Sequence, residues 1–180
     1  MQTLWKNGTK KAFYGSVAQI AITLINWLIA TVSPDSSLFI VTRILNIAAY
    51  VYFIMGIIDM KKAAAGTCLE GATKRLFVAI VVAVVGIAIK LIPGTDFISW
   101  IPELAAYILF WTGYAMIKTN AVNWKANFGG RKLCLASLIS LIIVLVGLIP
   151  VIGTIAGLIL NIFVVAFTIQ GWKAIAESEL

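Results

Sequence analysis

The sequence predicts an all-α polytopic membrane bundle of six transmembrane helices, built as three tandem αα-hairpins with a pseudo-threefold arrangement. Three observations carry this. First, 62% of the 180 residues are hydrophobic, only 12% are charged, and the mean hydropathy is +1.03; an ordinary soluble domain carries about 25% charge. Second, the apolar residues form long continuous runs over the whole chain. Third, the chain repeats itself at an interval of 57 to 58 residues. A soluble fold of this size could not hide so much apolar surface. A disordered chain needs the opposite composition. A β-barrel would show short segments alternating with period two, and these runs are continuous. The whole of 1–180 reads as one integral membrane domain.

A helix needs about 20 apolar residues to cross roughly 30 Å of hydrocarbon. The first span is 12–34, which carries no charge. It is too long for the apolar core of a cleavable signal peptide, and no small-x-small site follows it. The second runs over 38–58, with Arg43 near its start. The third runs over 76–92, with Lys90 near its end. The fourth runs over 97–117, with Glu103 near its start. From Leu133 to Trp172 no charge appears, a length of about 60 Å as a helix. Pro150 and Gly153 break that run, giving spans at 133–149 and 151–172.

Charge placement orients the chain. Lys6, Lys10, Lys11, Lys61, Lys62, Lys74, Arg75, Lys118, Lys125, Arg131, Lys132 and Lys173 all fall on one side of the six spans. Only Arg43 and Lys90 of the 14 basic residues fall toward the other. The positive-inside rule makes the first side cytoplasmic, with both ends of the chain there, in a plasma (bacterial inner) membrane. This accounts for the formal charge of +7 without nucleic acid as a partner. The predicted partners are the lipid bilayer, with anionic lipids at the cytoplasmic face, and a homo-oligomer or larger membrane complex. Trp5, Trp124 and Trp172 are expected at the inner interface and Trp27 and Trp100 at the outer one, with Trp111 deeper.

The repeats cover about 8–65, 71–126 and 129–178. Each opens on a basic pair: Lys10-Lys11, Lys74-Arg75, Arg131-Lys132. Each turns at a proline: Pro34, Pro93, Pro150. Each second helix then holds a polar residue, at Asn46, Glu103 and Asn161, with a glycine ten residues on, at Gly56, Gly113 and Gly171. Residues 46–56 and 103–113 agree at five of eleven positions, Ala48-Ala49-Tyr50 matching Ala105-Ala106-Tyr107. Positions i, i+3, i+7 and i+10 share one helix face. The stripe reads Asn46, Ala49, Phe53, Gly56, then Glu103, Ala106, Phe110, Gly113, then Asn161, Val164, Thr168, Gly171. Small residues let helices approach closely and amides need partners in lipid. The even-numbered helices are therefore expected to line the axis, with Asn46, Glu103 and Asn161 as a polar ring.

An intramembrane carboxylate marks a solute or ion pathway by default, so the ring reads as a pore or polar core. The competing role is interhelical adhesion, with Glu103 paired to Arg43 or Lys90. Gln19, Thr23 and Asn26 suggest helix contact, and Gly153 and Gly157 form a GxxxG that favours close packing. Asp59 with Lys61 and Lys62 reads as a solvated boundary. Catalytic machinery is not expected. The sequence has no histidine, and no nucleophile stands beside a base. Cys68 and Cys134 lack metal or redox spacing and lie on the reducing side. No metal or cofactor is predicted. The function expected is that of a small channel or transport-type protein acting as a homo-oligomer; the alternatives are a non-catalytic accessory or scaffold subunit, or a membrane-disrupting effector.

Overall fold

The computed structural model describes residues 1–32, 38–90, 96–146 and 152–179. Among them are six helices: α1 Gln2–Val32, α2 Leu38–Ala63, α3 Glu70–Lys90, α4 Asp96–Asn120, α5 Trp124–Val146 and α6 Ile152–Ala176. Three contain stretches long and apolar enough to cross a membrane, Ile44–Ala63, Trp124–Val146 and Ala156–Ala176. Only 17% to 28% of these stretches is buried inside the protein. Such an uncovered apolar surface is untenable in water and ordinary against lipid. This is an all-helical membrane protein. The proline turns predicted at Pro34, Pro93 and Pro150 lie outside the described residues, as do the side chains of Arg43, Lys90, Trp27 and Gly153.

Two helices start well before the apolar run that predicts them. α1 begins at Gln2 and α5 at Trp124. At 31 residues, α1 is about 46 Å long, more than the hydrocarbon needs. Its extra turns carry the basic residues and are not idle. Trp5, Thr9 and Ala12 are fully buried, together with Ile57, Met60, Leu76, Ile117, Leu133, Trp172 and Ile175. The core thus gathers at the basic end of the bundle. Water reaches that zone and supplies a hydrophobic driving force, whereas between lipid-immersed helices that force is absent. Trp5 and Trp172, expected at the interfacial belt, are core residues. Trp124 and Trp100 are exposed, as a belt requires, and Trp111 is exposed as well.

Caps end the helices at the basic side. The Gly66 backbone takes a positive φ of 74° after α2, the conformation glycine adopts most cheaply. Thr67 and Glu70 then open α3. The Thr67 hydroxyl accepts the Leu69 N–H, and the Glu70 carboxylate accepts the Gly66 N–H at 2.7 Å. That is a shifted version of the capping box, in the segment that reads as a plain loop in the sequence. The Asn123 side chain accepts the Lys125 N–H at 2.9 Å and caps α5.

The six helices form a closed ring in chain order. Each packs on its sequence neighbours, and α6 returns to α1. Contact is broad within each hairpin and between α4 and α5, and thin at the α1–α6 and α2–α3 seams. Two glycines permit the close approach. A Cβ on Gly56 would lie 2.5 Å from the Ala12 nitrogen and 2.6 Å from the Gly8 oxygen. A Cβ on Gly171 would lie 2.6 Å from Leu133 Cγ and 3.0 Å from the Gly129 oxygen. Gly113 sits in the matching place over Leu76 and Ala72. Gly157 is looser, with Ile143 at 3.9 Å. Asp59, expected to be merely solvated, ties α2 to α1 through Lys11 at 2.7 Å.

Candidate functional site

The ring encloses a central cavity of about 370 Å³, and every helix contributes to its wall. Small side chains make the space. Ser16, Ala83, Gly86, Ala106, Ala136 and Ser137 face it, where larger residues would fill it. On α4 the wall is continuous from Glu103 through Tyr107 and Phe110 to Tyr114, a depth of about 16 Å along the helix. The even-numbered helices supply the aromatic residues of the wall, and the odd-numbered ones line the space beside them with mostly small side chains.

The floor is aromatic and lies toward the basic end. Phe53 from α2 and Tyr114 from α4 both meet the Trp172 indole of α6 edge-on, at 5.6 Å and 5.9 Å between centroids. This is the favoured geometry for aromatic pairs. All three rings are buried, and Phe110 stacks on Tyr114 at 5.9 Å. Toward the proline end the ring of helices loosens. Residues 44–48 of α2 are all exposed. Five consecutive positions cover every side of a helix, so that turn of α2 stands away from the described residues around it, although nearer the proline end Thr42 is buried and hydrogen-bonds Asn26 of α1.

This splaying decides the fate of the predicted polar ring. The face was read at the right azimuth: Ala49, Phe53 and Gly56 are buried on α2, and Ala106 and Gly113 on α4. Asn46 and Asn161, however, are exposed and do not line the cavity. The Asn161 amide donates to the carbonyl of Gly157 in its own helix, at 2.8 Å. Glu103 alone of the three reaches the cavity wall, half-buried. It follows Pro102, which has no N–H to donate to the preceding turn. Gly86 of α3 lies against Pro102 and Glu103, leaving room for this end of α4.

Gln19, which the sequence assigned to helix contact, and Thr168 of the predicted stripe are among the polar groups of the cavity. Gln19, Tyr50, Tyr107, Ser137, Ser140 and Thr168 join Glu103 there. Tyr107 lies within electrostatic reach of both Glu103 and Tyr50. The Gln19 Nε2 and the Tyr50 hydroxyl are buried with no hydrogen-bond partner. A buried unpaired donor is costly, and neither atom has surface that water could reach, so both lie behind the cavity wall rather than on it. Asn26 and Thr23 take other roles. Asn26 accepts a hydrogen bond from the Thr42 hydroxyl of α2, and Thr23 bonds back to the Gln19 carbonyl at 2.8 Å. Tyr50 and Tyr107 were legible as the i+4 neighbours of Asn46 and Glu103, one position along from the Ala49 and Ala106 of the stripe.

Among the described residues no three His, Cys, Asp or Glu side chains gather as a metal site. No family model, curated protein or solved structure matches the chain.

Proposed function

We propose that this chain is a six-span integral membrane protein of the transport or channel type, and that its central cavity is the solute site. The carrying observation is that cavity: all six helices wall it, and it brings a carboxylate together with the hydroxyls of Ser16, Ser137, Ser140 and Thr168 in an otherwise apolar bundle. Polar groups inside a membrane domain are expensive and collect where a solute passes. The aromatic floor closes the cavity at the basic end, so the conformation described is that of a transporter or gated channel at rest rather than an open pore. In this reading the basic end is cytoplasmic, the membrane is a plasma membrane, and the solute site is complete within one chain. The matching glycine contacts in the three hairpins support a tandem-repeat origin. The missing histidine and the lack of a nucleophile beside a base support a non-catalytic role.

The test is uptake by vesicles holding purified protein, comparing the wild type with Ala106→Phe and Ala136→Phe, which fill the cavity. The expected result is wild-type uptake of small polar solutes and its loss in both variants, with helix content retained. Absence of uptake by folded wild type, or uptake unaffected by filling, would overturn the reading.

A further inference from the structure

The helix wall around the cavity has a gap, and the gap lies at the depth of lipid. On α2, residues 44–48 are exposed, between Thr42 and Ala49, which are buried. One turn nearer the floor, Tyr50 of α2 and Ala83 of α3 both line the cavity. On the corresponding part of α3, Val84, Val85 and Ala88 are exposed, and the buried Gly86 lies against Pro102 and Glu103 of α4. There α3 sides with α4, and the α2–α3 seam is thin. Asp59 marks the basic end of α2 through its ion pair with Lys11. Asn46 stands 13 residues from it, about 20 Å along the helix, well within roughly 30 Å of hydrocarbon.

The walls near the gap supply Phe53, Ala83, Ala106 and Phe110. The hydroxyls come from α1, α5 and α6, none of which borders this seam. An apolar flank holds water poorly, because a trapped water needs about two to four polar partners. Hydrocarbon gains no hydrophobic free energy by moving there from the bilayer. It gains van der Waals contact, which an unfilled space of about 370 Å³ lacks.

We propose that a lipid acyl chain from the leaflet at the proline end enters between α2 and α3 and fills the apolar flank of the cavity. Phe53 lies seven residues beyond Asn46, about 10 Å deeper, so the end of a descending chain meets the aromatic floor. The headgroup stays at the membrane surface. This chain site does not depend on whether a solute also uses the hydroxyl-lined side.

The test uses wild-type protein in vesicles of phosphatidylcholine that carries a photoactivatable diazirine near the chain end. Phe53 and Tyr114 are 6% and 5% exposed, out of reach of lipid outside the bundle, and both should carry adducts. Ala106→Phe, which fills the cavity, and Ala83→Phe, which narrows its flank near the gap, should each lose those adducts. Exposed Ile44 and Ile162 should label as before. Adducts confined to exposed residues, adducts on Phe53 and Tyr114 that persist in both folded variants, or labelling of those two by a water-soluble diazirine in place of the lipid would each overturn the proposal. If neither variant folds, tryptophan emission decides. The Trp172 contribution, taken as the difference between wild type and Trp172→Phe, should be quenched in chain-brominated lipid; equal emission in brominated and plain lipid would refute the chain site. Failure of the transport reading looks different. Labelling of the floor without vesicle uptake would refute transport and uphold the chain site, and uptake blocked by Ala106→Phe without such labelling would do the reverse.

Discussion

Gly56→Ala places a methyl group where the α1 backbone already lies. The added Cβ would stand 2.5 Å from the Ala12 nitrogen, whereas ordinary contact begins near 3.4 Å, so α1 and α2 must part by about 0.9 Å. Neither obstacle is a side chain that can turn away; both are backbone atoms. Overpacking of this kind costs about 1–3 kcal/mol. Alanine recovers about 1 kcal/mol of helix propensity, leaving a net loss of up to about 2 kcal/mol. For a chain of this length that lowers the melting temperature by up to about 8 °C. Gly157→Ala makes the same chemical change where the nearest foreign atom is 3.9 Å away, and it should melt at or slightly above the wild type. Intrinsic-fluorescence melting of both variants in one detergent gives the comparison. If Gly56→Ala melts as high as Gly157→Ala, the close α1–α2 contact is not as described.

Trp172→Ala removes a ring that is 1% exposed and should destabilise by about 3–5 kcal/mol, whereas Trp124→Ala, at a ring 72% exposed, should stay within about 0.5 kcal/mol; equal effects in denaturant titrations would mean that Trp172 is not core. Cys68 is exposed at the basic end, so in a Cys134→Ala background a membrane-impermeant maleimide should label it in inverted vesicles and spare it in right-side-out ones, the opposite pattern reversing the proposed orientation. Lys74 and the Gly66 N–H hold the Glu70 carboxyl below its ordinary value. Its contribution to the α3 cap is therefore complete at neutral pH and is lost as pH falls below the usual glutamate range through the folded value. Hydrogen exchange at Gly66 should lose protection over that acid range and not above it; loss of protection already above the ordinary glutamate range, or a Glu70→Gln variant as well protected as the wild type at neutral pH, would refute the cap.

Much of this was readable from the chain. The apolar runs mark all six helices, and the glycines ten residues beyond each polar position mark the tight hairpin contacts. Helical periodicity also gives the correct azimuth for Ala49, Phe53 and Ala106. It does not give depth or tilt. Asn46 shares a face with Phe53, yet the turn of α2 around Asn46 is exposed while Ala49 and Thr42 on either side of it are buried, and only the packing of the whole helix determines that. The same limit hid Trp5 and Trp172. A tryptophan beside a cluster of lysines reads as an interfacial anchor unless one knows that the helix continues past the hydrocarbon and meets others there. Gln19 was read as helix contact and Tyr50 only as part of the repeat, because an amide or phenol within an apolar run looks like ordinary adhesion until its surroundings are seen.

The uneven seams of the ring have a mechanical consequence. Broad contacts join α3 through α6 into one slab, while the α1–α2 hairpin leans on that slab along two thin edges. Stiffness is thus high within the slab and within the hairpin, and low where they meet. Phe53 rides on the hairpin, and Trp172 and Tyr114 ride on the slab, so the floor of the cavity is also the joint between them. Gln19 and Tyr50 ride on the hairpin as well, across from Glu103. A swing of the hairpin about its edges would part the floor toward the basic end and carry Gln19 and Tyr50 away from Glu103 in the same stroke. In the transport reading proposed above, opening the floor and releasing a solute would be a single movement of one lever.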